Sequence, residues 1–167
     1  MSILIHSIGH SNHSKADFLG LLRGAGIRLL VDVRSVPASR HVPAYGGAEL
    51  RQWLGEAGIG YHWLGRELGG KPQDAALYSA GRVDYKKIAA AAAFQGGITA
   101  LLNLAANQPL AMMCAERDPA HCHRAHLVTP ALCARGADVR HILADGKVES
   151  DAALRQRIAP RQPDLFG

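Results

Sequence analysis

The sequence predicts an α/β fold: a single-domain three-layer sandwich with a mostly parallel sheet. Three observations carry this. Short runs of branched aliphatic residues alternate with longer stretches of helical periodicity. The first two runs, 3–8 and 27–33, flank one helical stretch, the strand–helix–strand order of a parallel crossover. The 167 residues, 48% hydrophobic and 20% charged, suit one globular domain of ordinary composition.

The elements follow in order. Residues 3–8, ILIHSI, end at Gly9 and read as a buried strand. Ser14 is placed to cap a helix over 15–23, with Phe18, Leu19 and Leu22 on one face and Gly24 and Gly26 ending it. Residues 27–33, IRLLVDV, read as a central strand, and 34–47 as a loop punctuated by Pro37, Pro43, Gly46 and Gly47. A helix over 48–57 buries Leu50, Trp53 and Leu54, a short strand spans 59–64, and 65–73 form a second polar loop. Helices are expected over 84–94 and 98–107, separated by Gly96-Gly97. A strand spans 110–114, a loop 115–121, and a helix 122–135 that Pro130 should kink or break. A last strand spans 139–143, and the alternation that His141 gives it places the strand partly exposed. The domain is expected to end near residue 150, leaving 151–167 as a helix remnant and a flexible tail.

Several classes are excluded. No apolar run reaches the roughly 18 residues that span a bilayer, and no basic stretch precedes the apolar N-terminal run. Three Cys are too few for a disulfide scaffold, so a reducing cytoplasm is expected, with Cys133 packed in the core. The net charge of +5 comes from 19 bases, fourteen of them Arg. Arg binds phosphate bidentately, so an anionic partner is expected, DNA above all, and with it nucleoid association.

Ligands of parallel sheets bind beyond the carboxyl ends of the strands. Three segments there hold the reactive side chains. His10, Ser11 and Asn12 follow the first strand and can offer an anion site. In Asp32-x-Arg34-x-x-Pro37-x-Ser39-Arg40, Asp32 would activate water or stabilise a cationic transition state, while Arg34, Ser39 and Arg40 clamp phosphate. A structural Asp–Arg pair is the plainer alternative. In the segment 114–124, Cys114 is a candidate nucleophile or a buried inert thiol, Glu116 a general acid or base, and His123 and Arg124 face the cleft. Cys114, Cys122, His121 and His123 are the alternative donors for a metal, but the C-x7-C-H spacing is not a standard zinc pattern, so neither a metal nor another cofactor is expected. Tyr45, in the Pro/Gly loop, is the aromatic most free to stack on a base. Gly69-Gly70 allow close backbone approach to a ligand or simply turn the chain.

These residues carry a resemblance. The segments SIGHSNHSKADFLGLLRGAGIRLLVDVRSVPASR, ELGGKP and MMCAERDPAHCHRAHLV resemble the DUF488 family of bacterial proteins across roughly residues 3–147. The resemblance implies that GHSN, DVRxxPxSR and CAExxPxxCHR are signature positions, Cys122 among them; it names no reaction. The order VDVR then MMC is also loosely similar to rhodanese-like and Cys-phosphatase folds, although Glu116 and Asp118 would repel a small anion there. The C-terminal Gln162-Pro163-Asp164-Leu165-Phe166 resembles the bacterial sliding-clamp-binding peptide, with Gln162 and Asp164 making polar contacts and Leu165 and Phe166 the apolar anchors.

The function expected from the sequence is a DNA-binding hydrolase, glycosylase-like, acting on a damaged or modified base. Asp32, Glu116, His123 and Cys114 are its catalytic candidates, and the clamp its tether. A thiol enzyme using Cys114 and a non-catalytic nucleic-acid reader are the alternatives.

Overall fold

The computed structural model describes residues 2–160. In chain order these form β1 (Leu4–Gly9), α1 (Lys15–Gly24), β2 (Leu29–Asp32), α2 (Gly47–Glu56), β3 (Gly60–Trp63), α3 (Gly65–Leu68), β4 (Tyr78–Ser79), β5 (Arg82–Val83), α4 (Tyr85–Ala90), α5 (Ala92–Asn107), β6 (Leu110–Cys114), α6 (Thr129–Ala134), β7 (Asp138–Ile142), β8 (Val148–Ser150) and α7 (Asp151–Ile158). Six strands make the central sheet in the order β3-β2-β6-β1-β7-β8, parallel except for the antiparallel edge strand β8. The predicted α/β sandwich is therefore the fold.

The strand period of two sorts the core into two layers. Leu29, Val31, Leu110, Met112 and Cys114 face α5 and α6 on one side. Leu30, Ala111 and Met113 face α1 and α2 on the other, around Phe18, Leu50 and Trp53. Ser14 caps α1 as expected, its Oγ accepting from Asp17 N at 3.1 Å. Among the described residues no helix is long and apolar enough to cross a membrane.

The departures have local causes. The expected break at Gly96-Gly97 lies instead at Ala91, whose ψ of 138° is extended. Helix α5 runs through both glycines because Gly97 meets α3 closely: a Cβ there would lie 2.6 Å from Glu67 Cβ. The β4–β5 hairpin turns on Ala80 and Gly81, both at positive φ, and Ala at that position carries no turn signal. The single helix expected over 122–135 is a π-helical turn (Arg124–Val128) running into α6, and the loop before it holds a 3-10 turn (Pro119–His121). Pro130 falls in the first turn of α6, where a missing N–H is tolerated. Strand β7 is partly exposed through Asp138 and Arg140, while His141 is fully buried; Cys133 is exposed, not packed. Residues 151–158 belong to the packed body: α7 lies on β7 and β8 with Leu154 buried. Gln162, Asp164, Leu165 and Phe166 lie outside the described residues.

Candidate functional site

A pocket of about 450 Å³ opens beyond the C-terminal ends of β2 and β6. Its wall includes Arg34, Ser35, Lys71, Tyr85 and Glu116, with Cys114, Cys122 and His123 alongside. The loops that frame it press hard on one another. His10 N donates to Cys114 O and Ser11 N to Ala115 O, so the chain after β1 continues pairing with the chain after β6. Two glycines permit this: a Cβ on Gly9 would lie 1.7 Å from Glu116 O, and one on Gly65 1.7 Å from Arg34 O.

The Asp32–Arg34 pair is a structural brace. Asp32 is fully buried and its carboxylate accepts four hydrogen bonds. Arg34 N and Nε donate to Oδ1 at 3.0 and 2.9 Å, and Arg34 Nη2 and the Tyr61 hydroxyl donate to Oδ2, each at 2.7 Å. That occupies the lone-pair capacity of a carboxylate, so Asp32 is not the water-activating group expected from the sequence. The guanidinium is largely committed as well, four of its five N–H groups donating within the protein. Nη2 also donates to Tyr45 O and Nη1 to His10 Nε2, so Arg34 anchors the loops and turns only one Nη1–H edge to the pocket.

Tyr45 is likewise corrected. It is fully buried, stacked on His10 with ring centroids 4.5 Å apart, and edge-on to Phe18 and Trp53. Its hydroxyl donates to His13 O, so no face is left for a base. Burial, with the Arg34 charge beside it, outweighs the Ser11 carbonyl contact and drops His10 to a pKa of about 4. Ser11 and Asn12 do not open a helix; they accept from Arg117 at 3.3 and 3.1 Å. Ser39 Oγ accepts from Val42 N, and exposed Arg40 lies outside the pocket wall. Arg124 does not face the cleft. It is fully buried and holds the loop from beneath, donating to Glu116 O, Arg117 O and Ser7 Oγ.

What converges at the pocket floor is two thiols and an imidazole. Cys114 Sγ lies 3.6 Å and Cys122 Sγ 3.7 Å from His123 Nδ1, and all three atoms lie within 4.8 Å of one another. His123 Nε2 is 3.0 Å from Val33 O. A carbonyl only accepts, so Nε2 carries the proton and the Nδ1 lone pair of the neutral ring faces the sulfurs. Arg124 N donates to Cys122 Sγ at 3.4 Å. The Cys122 thiol, against the opposing effect of burial and with the help of Arg124 and the Glu116 and Ala115 amides, brings Cys114 down to about 7. Its shared hydrogen bond and burial push Cys122 the other way.

Of the sequence-derived candidates, Cys114, Glu116, His123 and one edge of Arg34 reach this pocket. Glu116 is exposed at its mouth. Sequence reasoning left out Ser35, Lys71 and Tyr85, and held the metal-ligand role of Cys122 only as a lesser alternative. Gly69 and Gly70 do mark a close approach, to protein rather than ligand. A Cβ on Gly69 would sit 2.3 Å from Ser35 Oγ and one on Gly70 2.9 Å from the His123 ring. Neither a curated protein nor a solved structure matches the chain. One family model does, described as a domain of unknown function, DUF488, and it matches residues 14–129. That stretch is more than two thirds of the sequence and includes both the Asp32–Arg34 brace and the Cys114–Arg124 segment, so the chain belongs to the DUF488 family.

Proposed function

We propose that this protein is an enzyme working through the Cys114 thiol, with His123 as its base. The carrying observation is the dyad geometry: Cys114 Sγ 3.6 Å from an Nδ1 whose ring is oriented by the Val33 carbonyl. A nucleophile, a base within reach and a third group orienting the base are what activation of a thiol requires. Nδ1 takes the S–H proton, the thiolate attacks an electrophilic atom of a substrate in the pocket, and Glu116 at the mouth can protonate the leaving group. The net charge of +5 favours an anionic substrate. The test is a panel of sulfur-transfer, phosphatase and thioester substrates with the Cys114→Ser variant. Turnover that disappears in the variant supports the reading. Iodoacetamide should also modify buried Cys114 faster than exposed Cys133; a Cys114 slower than Cys133, with turnover unchanged in the variant, refutes it.

A second reading, processing of a modified base in clamp-tethered DNA, draws on Glu116 at the mouth, the exposed Arg40 and Arg117, and the clamp-like residues Gln162, Asp164, Leu165 and Phe166. With Asp32 saturated it rests on Glu116 alone as its carboxylate. Base release from a modified duplex, lost in Glu116→Gln, would support it. Capture of the clamp that survives Leu165→Ala with Phe166→Ala would remove the tether.

A further inference from the structure

The geometry points to a metal-binding site that the chain spacing hides: we propose that Cys114, Cys122 and His123 bind a single thiophilic d10 cation, with Zn²⁺ as its representative. The two sulfur–nitrogen separations already match the edges of a coordination tetrahedron. Metal–sulfur bonds of about 2.3 Å and a metal–nitrogen bond of about 2.0 Å put sulfur and nitrogen about 3.5 Å apart around a tetrahedral ion. The observed sulfur–nitrogen distances are 3.6 and 3.7 Å.

The surroundings fit as well. A ligating histidine normally donates its other ring N–H to a carbonyl or carboxylate, which fixes the ring and leaves the coordinating lone pair free. His123 does this through Val33 O. The Arg124 amide donates to Cys122 Sγ, the kind of contact that supports a bound thiolate. Two thiolates neutralise a divalent ion, so the buried Arg124 guanidinium does not oppose it. Two sulfurs and an imidazole select Zn²⁺ or Cu⁺ over Mg²⁺ or Ca²⁺. Three protein donors at a pocket wall leave the fourth position open to water or substrate, as in catalytic rather than structural sites. Binding is an exchange without redox change: the ion enters, and the protons still on the two sulfurs leave to solvent.

The inference does not rest on the thiol reading. A bound ion holds Cys114 as a ligand and withdraws it from nucleophilic chemistry, so the ion-bound and ion-free forms are two states of one site. The experiment uses the full chain, reduced and freed of metal. Zn²⁺ titration by calorimetry is expected to show one site per chain. Co²⁺ substitution is expected to give a sulfur-to-cobalt charge-transfer band. Cys122→Ser and His123→Gln should each weaken binding by at least about 100-fold, the upper range already reached by losing a mere supporting contact. Cys133→Ser should change nothing. The absence of one-to-one binding by the wild-type chain, or a charge-transfer band lost only in Cys133→Ser, overturns the proposal. Iodoacetamide separates the two readings. If ion-free Cys114 is inert while Zn²⁺ binds, the thiol reading alone fails. If Cys114 reacts and Zn²⁺ neither binds nor protects it, the metal site alone fails.

Discussion

Acidification from pH 8 to pH 5 should destabilise this protein through His10, and the amount follows from its surroundings. The ring is stacked on Tyr45, its Nδ1–H donates to Ser11 O at 2.8 Å, and its Nε2 accepts from Arg34 Nη1 at 3.2 Å. A second ring proton would point at a guanidinium. The folded state therefore holds His10 neutral down to about pH 4, whereas the unfolded chain protonates it near its ordinary value of 6.5. Above pH 6.5 neither state carries the proton and nothing changes. Below it the unfolded state gains a proton that the fold refuses, so stability falls until about pH 4 and then levels off. The whole gap is worth about 3 kcal/mol, of which about 2 kcal/mol is lost by pH 5. Against a typical stability of about 5–15 kcal/mol that is a large fraction. His6, His13 and His141 are shifted in the same direction by burial, so the wild-type slope alone does not isolate His10. The measurement is urea denaturation at pH 8 and pH 5 for wild type and His10→Gln, a side chain that keeps an acceptor for Arg34. The variant should lose about 2 kcal/mol less over that interval. Equal losses would refute the account of His10 as a buried neutral base.

Two further substitutions test the frame of the pocket. Asp32→Asn should cost about 3–5 kcal/mol in urea denaturation, because it leaves the Arg34 charge buried without its partner; a variant as stable as wild type yet inactive would return Asp32 to the chemistry. Gly9→Ala should cost about 2 kcal/mol or more, since its Cβ would strike the Glu116 carbonyl. Gly20→Ala, in the middle of α1 with nothing within 4 Å, should instead gain about 0.5–1 kcal/mol. Thermal melts that rank the two alanines the other way would contradict the close approach at Gly9.

The layers were legible because they depend on periodicity. Strand β6 lies where the sequence placed it, and the Ser14 cap marks the start of α1 to the residue. The location of the site at the strand ends was legible for the same reason, and Cys114, Glu116 and His123 do meet there. The roles of the charged residues were not. A sequence displays Asp32 and Arg34 as two charges in one loop, but not that Tyr61, His10 and the Tyr45 carbonyl take up all but one of the hydrogen bonds their pairing leaves free. Tyr45 sits among prolines and glycines, yet the 3-10 turn Pro43–Tyr45 swings it into the core. The seven residues between Cys114 and Cys122 break the usual zinc spacing, and only the folded turn at Pro119–His121 brings the second sulfur back to the first.

The arginines explain why that pocket floor is well defined. Arg34 and Arg124 are almost wholly desolvated, and a guanidinium in that state is costly unless every donor finds an acceptor. Arg34 meets its cost with Asp32. Arg124 has no carboxylate among its hydrogen-bond partners; its side chain uses the Glu116 and Arg117 carbonyls and Ser7 Oγ, and Ser7 in turn donates to His141, whose far nitrogen reaches Asp151. The acceptors it depends on are therefore the backbone of the loop that follows Cys114, and moving that loop would strand a buried charge. The positive charge that reads in the sequence as a grip for phosphate is in these two residues spent inside the fold, fixing the loops on either side of β6. A site whose supporting groups are locked in this way holds its reactive atoms in place before any ligand arrives. Those atoms are the two sulfurs and the Nδ1 of His123, the group on which both the thiol and the metal proposals turn.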